Sequence, residues 1–388
     1  MLTREENEML ARVGKGTPAG ELLRRYWMPA AAAAELTDEK PIKGLRLLGE
    51  DLVVYRDKTG RYGLVGEHCP HRKASLAFGR VDEEGIRCPY HGWKYDGTGK
   101  CLEQPAEPPE GGFKDKIKHT AYPVEKLGGL LWAYLGPEPR PLLPRWDVLA
   151  WENGKRWIEK HEIYHCNWLQ PMENSVDPSH LYWLHGDAAH LARTVERYEE
   201  EHSFIPFKYG IMKQRRTPGG KPGESARLDQ HPLVFPITLR HVFRSSAIDG
   251  SLRHNLQIRV PVDDTHTQVY VVYFTTDETM YCSADGDAGW EYFPIRNENG
   301  EYRLEHVLVQ DAMAWESQGG LTDRTQEHLG VGDEGIILWR KVLREQIDIV
   351  QRGGEPLGVV RDPVENRLIE FDVINERVGL FGKQQKVA

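Results

Sequence analysis

The chain has few cysteines, no long apolar run and no block of like charge. Its five cysteines among 388 residues are too scattered for the disulfide framework of a small secreted domain. No stretch reaches the roughly eighteen apolar residues of a membrane-spanning helix, and the first residues lack the apolar core of a signal peptide. Lysine and arginine form no cluster typical of nucleic-acid binding. These absences predict a cytoplasmic protein that binds neither membranes nor nucleic acid.

The length and composition of the chain predict two domains. Hydrophobic residues make up 39% of the sequence and charged residues 28%, and the net charge is −9, which suits a soluble chain with a sizeable core. A segment rich in glycine and proline at residues 136–141 interrupts the strand-like pattern before it. We therefore predict a first domain at residues 1–140 and a second at residues 141–388.

The first 140 residues predict a small antiparallel β domain. Thr3 and Glu6 have the spacing of a helical capping box. Two helices are predicted, over residues 3–14 and 18–26. Short runs typical of strands follow, with turn signals between them at residues 57–60 and 96–99. We expect these strands to hold functional loops at one end of the domain.

The rest of the chain predicts a larger antiparallel sheet covered by helices. Alternating runs predict strands over residues 237–245, 254–260 and 267–275, with the segment Val260–Asp264 between the last two. Helical patterns predict helices over residues 170–185, 303–318 and 334–351. Helices packed on antiparallel sheets make the predicted fold class α+β.

Two short loops in the first domain offer the ligands of an iron–sulfur cluster. Cys69-Pro70-His71 is followed, after sixteen residues, by Cys88-Pro89-Tyr90-His91-Gly92-Trp93. Each loop supplies one thiolate and one imidazole, which suits a [2Fe–2S] cluster with two Cys ligands on one iron and two His ligands on the other. Two Cys and two His also suit a structural zinc ion, although zinc fingers usually pair Cys with Cys and His with His. The mixed half-sites favour the cluster over zinc.

A second segment predicts a mononuclear metal site. His180 and His185 lie five residues apart in a segment that also contains Asp177. Two neutral imidazoles can begin a triad of two His and one carboxylate, which holds Fe(II) on one face and leaves the other face open for O₂. Asp177 precedes His180 by three residues and could accept its ring N–H. The alternative is that both are ordinary core or surface histidines.

These motifs together resemble those of the Rieske non-heme iron aromatic ring-hydroxylating oxygenases. The two Cys/His loops are similar to their Rieske domain, and Ala74 and Tyr90 stand where respiratory Rieske proteins carry a disulfide pair. The pattern Asp-x-x-His-x-x-x-x-His resembles their mononuclear iron motif. Residues 310–330 resemble the phthalate 4,5-dioxygenase-like branch, which includes chlorobenzoate dioxygenases and aryl-ether O-demethylases. The resemblance covers nearly the whole chain.

The resemblance implies a role for each site residue. The implied ligands of the [2Fe–2S] cluster are Cys69, His71, Cys88 and His91. The implied ligands of the mononuclear Fe(II) are His180, His185 and Asp311, with Glu316 as the rival third ligand. Asp177 would be the catalytic acid that links His91 of a neighbouring subunit to His180, and Asn174 would support it.

The resemblance also implies an activity and partners. The chain would be a terminal oxygenase component that uses O₂ and electrons from a separate NAD(P)H-dependent flavin and iron–sulfur reductase to hydroxylate a phthalate- or benzoate-like carboxylate. A homotrimer or stacked hexamer is implied. One alternative is a Rieske monooxygenase that O-demethylates a methoxylated aromatic acid. An alternative from another class is a Rieske electron carrier whose second half only binds a partner.

An aromatic carboxylate calls for a cation in the substrate site. Arg240 and Arg244 are candidates because guanidinium groups pair with carboxylates in a bidentate manner, and their even spacing on a predicted strand places both on one side. His241 and Phe243 would face the other side. Further arginine and lysine candidates are Arg193, Arg197 and Lys208. The alternative is that these residues form a solvated surface.

Overall fold

The computed structural model describes residues 1–185, 200–217, 225–244, 252–276, 285–286, 288–376 and 380–381. Small antiparallel sheets occupy the first third of the chain, and one large sheet with helices occupies the rest. The fold class is therefore α+β, as predicted. Among the described residues, no helix has both the length and the apolar character needed to cross a bilayer.

Two short helices precede the first strand, α1 (Arg4–Ala11) and α2 (Pro18–Leu23). The predicted capping box is present, since the Glu6 N–H donates to Thr3 Oγ1 at 3.1 Å and the Thr3 N–H donates to Glu6 Oε2 at 2.8 Å. Helix α1 ends earlier than the predicted end at residue 14, because the backbone adopts an extended conformation at Arg12. The next N–H, of Val13, then donates to the Asp264 carboxylate at 2.9 Å.

The first part of the chain then forms eleven short strands among the residues described. They are β1 (Trp27–Ala32), β2 (Ile42–Leu47), β3 (Glu50–Arg56), β4 (Tyr62–Gly66), β5 (Arg80–Val81), β6 (Ile86–Arg87), β7 (Lys94–Tyr95), β8 (Cys101–Glu103), β9 (Ala121–Tyr122), β10 (Val124–Leu127) and β11 (Leu130–Tyr134). They pair into three sheets, with strand orders β2-β3-β4-β9, β5-β6-β7-β8 and β1-β11-β10. The predicted turn after β3 is present, because the Asp57 carboxylate accepts the backbone N–H groups of Thr59 and Arg61 at 2.9 and 3.0 Å.

The second part of the chain forms the large sheet and five helices within the described ranges. Its elements are α3 (Asp147–Ala150), β12 (Lys155–His161), α4 (Leu169–Asn174), α5 (His180–Trp183), β13 (Glu201–Phe207), β14 (Gly210–Thr217), β15 (Arg227–Val234), β16 (Thr238–Arg244), β17 (Leu252–Asp263), β18 (His266–Thr275), β19 (Gly289–Phe293), α6 (Val307–Ser317), α7 (Glu334–Gln351), β20 (Ile374–Asn375) and β21 (Leu380–Phe381). The main strand order is β13-β14-β15-β16-β17-β18-β12-β19, and only the β12–β19 pair among these is parallel.

Two predicted segments differ from the structure. The segment Val260–Asp264 does not separate two strands, because β17 continues to Asp263 and absorbs Pro261 at a register shift. The helix predicted over residues 170–185 is divided into α4 and α5. Pro178 lies in the break, and a proline disfavours helical backbone at the residue before it. The break places Asp177 between the two helices rather than within one.

The N-terminal helices contact the second part of the chain. The Trp168 indole N–H donates to the Ala11 carbonyl at 3.1 Å, and the Leu2 N–H donates to the Arg324 carbonyl at 3.1 Å. Helix α2 also packs against α7. The predicted first domain, residues 1–140, thus begins with helices that help to support the second one.

Candidate active site

The two Cys/His loops are tight turns closed by their own backbone hydrogen bonds. In the first loop, the Cys69 N–H donates to the Ala74 carbonyl at 3.0 Å, and Lys73 has a left-handed φ of 61°. In the second loop, the Cys88 N–H donates to the Trp93 carbonyl at 2.8 Å, and Gly92 has a φ of 73°. A side chain at Gly92 would meet the Pro105 ring at 3.1 Å, so glycine is needed there.

The loops bring together the four side chains that are the predicted ligands of the cluster. The His71 and His91 rings lie 4.5 Å apart between centroids, and His71 stacks on Trp93 at 4.4 Å. Cys69 and Cys88 are buried, whereas both histidines are more exposed. The buried Nδ1 atom of His91 has no hydrogen-bond partner among the described residues, which leaves it free to bind a metal. This donor set fits a cluster with its Cys-bound iron inside and its His-bound iron outside.

A tyrosine supports the first thiolate. The Tyr95 hydroxyl lies 3.2 Å from Cys69 Sγ, so it can donate a hydrogen bond to a deprotonated, metal-bound sulfur. Burial raises the pKa of the unbound Cys69 thiol, and a bound metal ion would reverse this preference by stabilising the thiolate.

Three further side chains converge in the second part of the chain. His185 Nε2 lies 3.1 Å from Asp311 Oδ1, and His180 Nε2 lies 3.7 Å from the same oxygen. The ligand atoms of all three residues lie within 4.8 Å of one another. This arrangement can hold one metal ion with two imidazoles and one carboxylate.

The rival carboxylate, Glu316, is engaged elsewhere. It accepts the His165 backbone N–H at 2.7 Å and also contacts the side chains of Arg296 and Tyr302. The structure therefore brings Asp311, and not Glu316, to the two histidines. Both carboxylates lie on α6, but they occupy different positions around the helix axis.

Gln310 orients one of the converging histidines and was missed in the sequence. Its side-chain oxygen lies 2.8 Å from His185 Nδ1, and its side-chain nitrogen donates to the Leu304 carbonyl at 2.7 Å. A hydrogen bond at Nδ1 fixes the ring so that Nε2 points toward Asp311. The feature of the sequence that could have identified Gln310 is its position directly before the predicted metal ligand Asp311.

Asp177 lies beside His180 in the break between α4 and α5. Its Oδ1 accepts the Ser179 N–H at 2.9 Å and the Ser179 hydroxyl at 2.6 Å. Its Oδ2 lies 3.7 Å from His180 Nδ1, which is ion-pair range rather than hydrogen-bond range. Burial opposes ionisation, but His180 and Ser179 outweigh it and lower the pKa of Asp177 to about 2. Asn174 is nearby, since its carbonyl accepts the Asp177 N–H at 3.0 Å.

Arg240, which was predicted to bind the substrate, is part of a buried ion pair within the protein. It is buried on β16, its Nε lies 3.1 and 3.2 Å from the two Asp147 carboxylate oxygens, and it also contacts His254 at 2.8 Å. This pairing gives no support to substrate binding by Arg240. Arg244 is exposed at the end of β16.

Of the remaining predicted cations, one is paired with an acidic side chain and two are not described by the structure. Lys208 forms an exposed ion pair with Glu365 at 2.6 Å. Arg193 and Arg197 lie outside the described residues.

Comparison with known proteins finds two family matches in the chain. Residues 26–124 match the Rieske [2Fe-2S] domain, and residues 296–379 match the family described as LigXa C-terminal domain like. A Rieske domain followed by a site of two histidines and one carboxylate defines the class of Rieske non-heme iron oxygenases, whose cofactors are a [2Fe–2S] cluster and a mononuclear iron.

Full-length relatives place the chain among the oxygenase subunits of this class. It is 40% identical to the 5,5′-dehydrodivanillate O-demethylase oxygenase subunit of Sphingobium sp., over 98% of this chain and 89% of the relative. It is 31% identical to the phthalate 4,5-dioxygenase oxygenase subunit of Pseudomonas putida, over 96% and 92% of the two chains. The chain therefore belongs to the Rieske oxygenase family and is an oxidoreductase that uses O₂.

A solved structure shares the fold. The structure of NdmA from Pseudomonas putida superposes with a TM-score of 0.62 over 87% of this chain and 94% of that chain, at 22% identity. The overall fold is therefore shared at low sequence identity.

Proposed function

We propose that the protein is the terminal oxygenase that inserts oxygen from O₂ into an aromatic carboxylate, using electrons from a separate NAD(P)H-dependent reductase. The observation that carries this proposal is the convergence of His180, His185 and Asp311 within 4.8 Å, in a chain that also holds the paired Cys/His loops. An electron carrier alone would not need a second site open to O₂.

The two cofactors would be held by separate residue sets. The cluster would be held by Cys69, His71, Cys88 and His91, and the iron by His180, His185 and Asp311. When bound, the cluster supplies single electrons and the iron supplies O₂ activation. Three protein ligands on one side would leave room for O₂ and substrate on the other.

The chain's own residues would position and protect this chemistry. Gln310 holds the His185 ring by its 2.8 Å contact, and His180 together with Ser179 holds Asp177 in its ionised form. Asp177 would join His180 to His91 of a neighbouring copy in a trimer or stacked hexamer. The exposed aromatic rings of Tyr90, beside His91, and Trp183, beside His180, support such a contact between copies.

A second candidate reaction at the same site is O-demethylation of a methoxylated aromatic acid. The 40% identical relative, which matches over 98% of this chain, is an O-demethylase subunit and specifically favours this candidate. Hydroxylation of a methoxy carbon would release formaldehyde, whereas ring dihydroxylation would give a cis-dihydrodiol. Both reactions use the same metal triad and differ in which substrate carbon lies beside it.

The test is turnover by the reconstituted oxygenase with a Rieske oxygenase reductase, NADH and O₂. The substrates are phthalate, 3-methoxybenzoate and 5,5′-dehydrodivanillate. Formation of dihydrodiol from phthalate supports the first candidate, and formaldehyde without dihydrodiol supports the second. If none of these acids yields an oxygenated product while the protein contains both metal centres, the proposed function is wrong. A content of two irons per chain, with no mononuclear iron, would instead indicate an electron carrier.

A further inference from the structure

A row of polar side chains crosses one face of the large sheet. Lys213 on β14 is the cross-strand partner of His231 on β15, and the His231 and His241 rings lie 4.2 Å apart between centroids. His241 on β16 is in turn paired with Asn255 on β17. Because paired residues in an antiparallel sheet point to the same side, these four side chains are neighbours. We call them the polar row.

The polar row lies on the face that carries the metal site. Arg259, further along β17 on the same face, lies with its guanidinium 5.9 Å from the centre of the Trp315 ring on α6. Burial lowers the pKa of Arg259 to about 10, and the charge of Asp311 opposes that shift. At the other end of the row, Asp177 similarly favours the charged form of Lys213. The Arg259 end of this face is therefore covered by the helix that carries Asp311.

Lys213 is the member of the row whose charge has no matching partner. Its side chain is only 7% exposed, and it makes no hydrogen bond or ion pair with the residues that the structure describes. The nearest acid on the sheet, Asp229, is already matched by Arg215 at 2.6 Å and also lies 2.9 Å from His231. Burial and Arg215 lower the pKa of Lys213 to about 8. A buried ammonium in this state would be stabilised by a bound anion.

An aromatic surface adjoins the polar row on the same face. The Phe243 ring lies 6.1 Å from His241 and 6.2 Å from Tyr273. Tyr273 stacks on Trp157 at 4.8 Å. A ligand with an anionic end at Lys213 and an aromatic ring beside Phe243 and Tyr273 would match both surfaces.

Given the proposed function, on which this inference rests, we propose that Lys213 binds the carboxylate of the aromatic substrate. Lys213 would then set the preference of the enzyme for aromatic acids over neutral analogues. The ammonium–carboxylate contact is a charge-assisted hydrogen bond in a buried setting. Asn255, whose buried side-chain oxygen has no hydrogen-bond partner among the described residues, would accept a hydrogen bond from a donor group elsewhere on the substrate, since an amide oxygen cannot bind the carboxylate itself.

The test compares two charge-removing substitutions on the same strand. Lys213→Met removes the buried ammonium, and Arg216→Met removes an exposed cation on the opposite face of β14 as the matched control. Dissociation constants are measured calorimetrically with the holoenzyme. The ligands are the best-used acid among phthalate, 3-methoxybenzoate and 5,5′-dehydrodivanillate, together with its primary amide.

We expect Lys213→Met to weaken binding of the acid by roughly 10- to 100-fold, which is the worth of one hydrogen bond to a charged group. Binding of the amide should stay unchanged, and Arg216→Met should change neither constant. The inference is overturned if the acid binds Lys213→Met within about twofold of the wild type, or if acid and amide lose affinity equally.

A second measurement needs only the wild-type protein, in case the variant does not fold. With a Lys213 pKa of about 8, affinity for the acid should fall about tenfold from pH 7 to pH 9, while affinity for the amide stays flat. Burial keeps the neighbouring His231 and His241 neutral over this range by lowering each pKa. Of the other charged groups facing Lys213, Arg215, Asp229 and Asp177 do not titrate there, and Arg259, with a pKa of about 10, stays mostly charged up to pH 9.

These outcomes separate the inference from the proposed function. Suppose that the enzyme turns over an aromatic acid but binds the acid no more tightly than its amide, or binds the acid equally well at pH 7 and pH 9. This result would overturn the role of Lys213 and leave the proposed function intact. Absence of turnover for every acid overturns the proposed function as well.

Discussion

The two metal sites of this protein are built in different ways. The cluster loops lie within residues 69–93, and each loop is closed by backbone hydrogen bonds between residues no more than five apart. The proposed iron triad joins His185 to Asp311 across 126 residues, from the end of α5 to the middle of α6. The first site is therefore formed by residues that are close together in the sequence. The second site forms only when α6 has packed on the sheet. We expect the second site to be more sensitive to changes in long-range packing.

The largest effect should come from removing a ligand of one site only. Asp311→Ala should lower the iron content from about three to about two atoms per chain, because the mononuclear iron is lost and the cluster stays. Product formation should fall below detection. Iron analysis, the Rieske EPR signal and product assays measure these outcomes.

The converse variant is Cys88→Ser, which should abolish the EPR signal. If Asp311→Ala lost the cluster as well, the two sites would not be independent, and the contrast drawn above would fail.

A smaller but still large effect should come from the buried ion cluster that supports α4. Glu173 contacts Arg324 at 2.7 Å and Arg340 at 2.6 Å, and all three side chains are buried. Glu173→Gln should destabilise the fold by roughly 3 kcal/mol because Arg324 loses its carboxylate partner, whereas Arg340 keeps its pairing with Glu327. Chemical denaturation measures the loss. The mononuclear iron should dissociate at a lower denaturant concentration than the cluster. Loss of the cluster can be followed by the decrease in its visible absorbance.

The exposed residue Glu345 on α7 provides the control. Glu345→Gln should change stability by less than about 0.5 kcal/mol. Simultaneous loss of both metal centres in Glu173→Gln would contradict the expectation that the cluster loops are locally stabilised.

Gln310→Met should weaken the mononuclear site by roughly 10- to 100-fold in iron affinity or activity, since His185 would lose the contact that orients its ring. Equilibrium dialysis against a chelator measures the affinity. Gln351→Met, at the exposed end of α7, should have no effect. An unchanged iron affinity in Gln310→Met would show that packing alone orients His185.

The smallest effect should come from the hydroxyl beside the cluster. Tyr95→Phe removes a hydrogen-bond donor from the Cys69 sulfur, which should lower the reduction potential by roughly 40 mV if the bond is worth about 1 kcal/mol. Redox titration monitored by EPR measures the shift. Tyr55→Phe is the matched control, because the buried Tyr55 hydroxyl has no partner within the described part of the chain. Equal shifts in both variants would assign the effect to packing rather than to the hydrogen bond.

Sequence patterns predicted those elements whose signals are local. The helix over residues 334–351 and the capping box at Thr3 are present as predicted, because apolar periodicity and capping chemistry depend on near neighbours. Strands β14 and β15 were missed. Lys213 and Arg215 on β14, and Asp229 on β15, occupy inward positions where an apolar residue would have revealed the alternation. A strand whose buried face carries polar side chains shows no alternation of apolar and polar residues, so the sequence pattern does not reveal it.

The amino-acid sequence by itself determined the two Cys/His loops, the Asp177–His185 motif and the α+β class, since each follows from residue types at short spacing. Only the tertiary structure decided that Asp311 rather than Glu316 meets the histidines, that Arg240 pairs with Asp147, and that Lys213 has no matching charge. The physical reason is that these choices depend on which side chains meet across elements far apart in the chain. The spacing of residues along the sequence does not show which side chains come into contact in the folded protein.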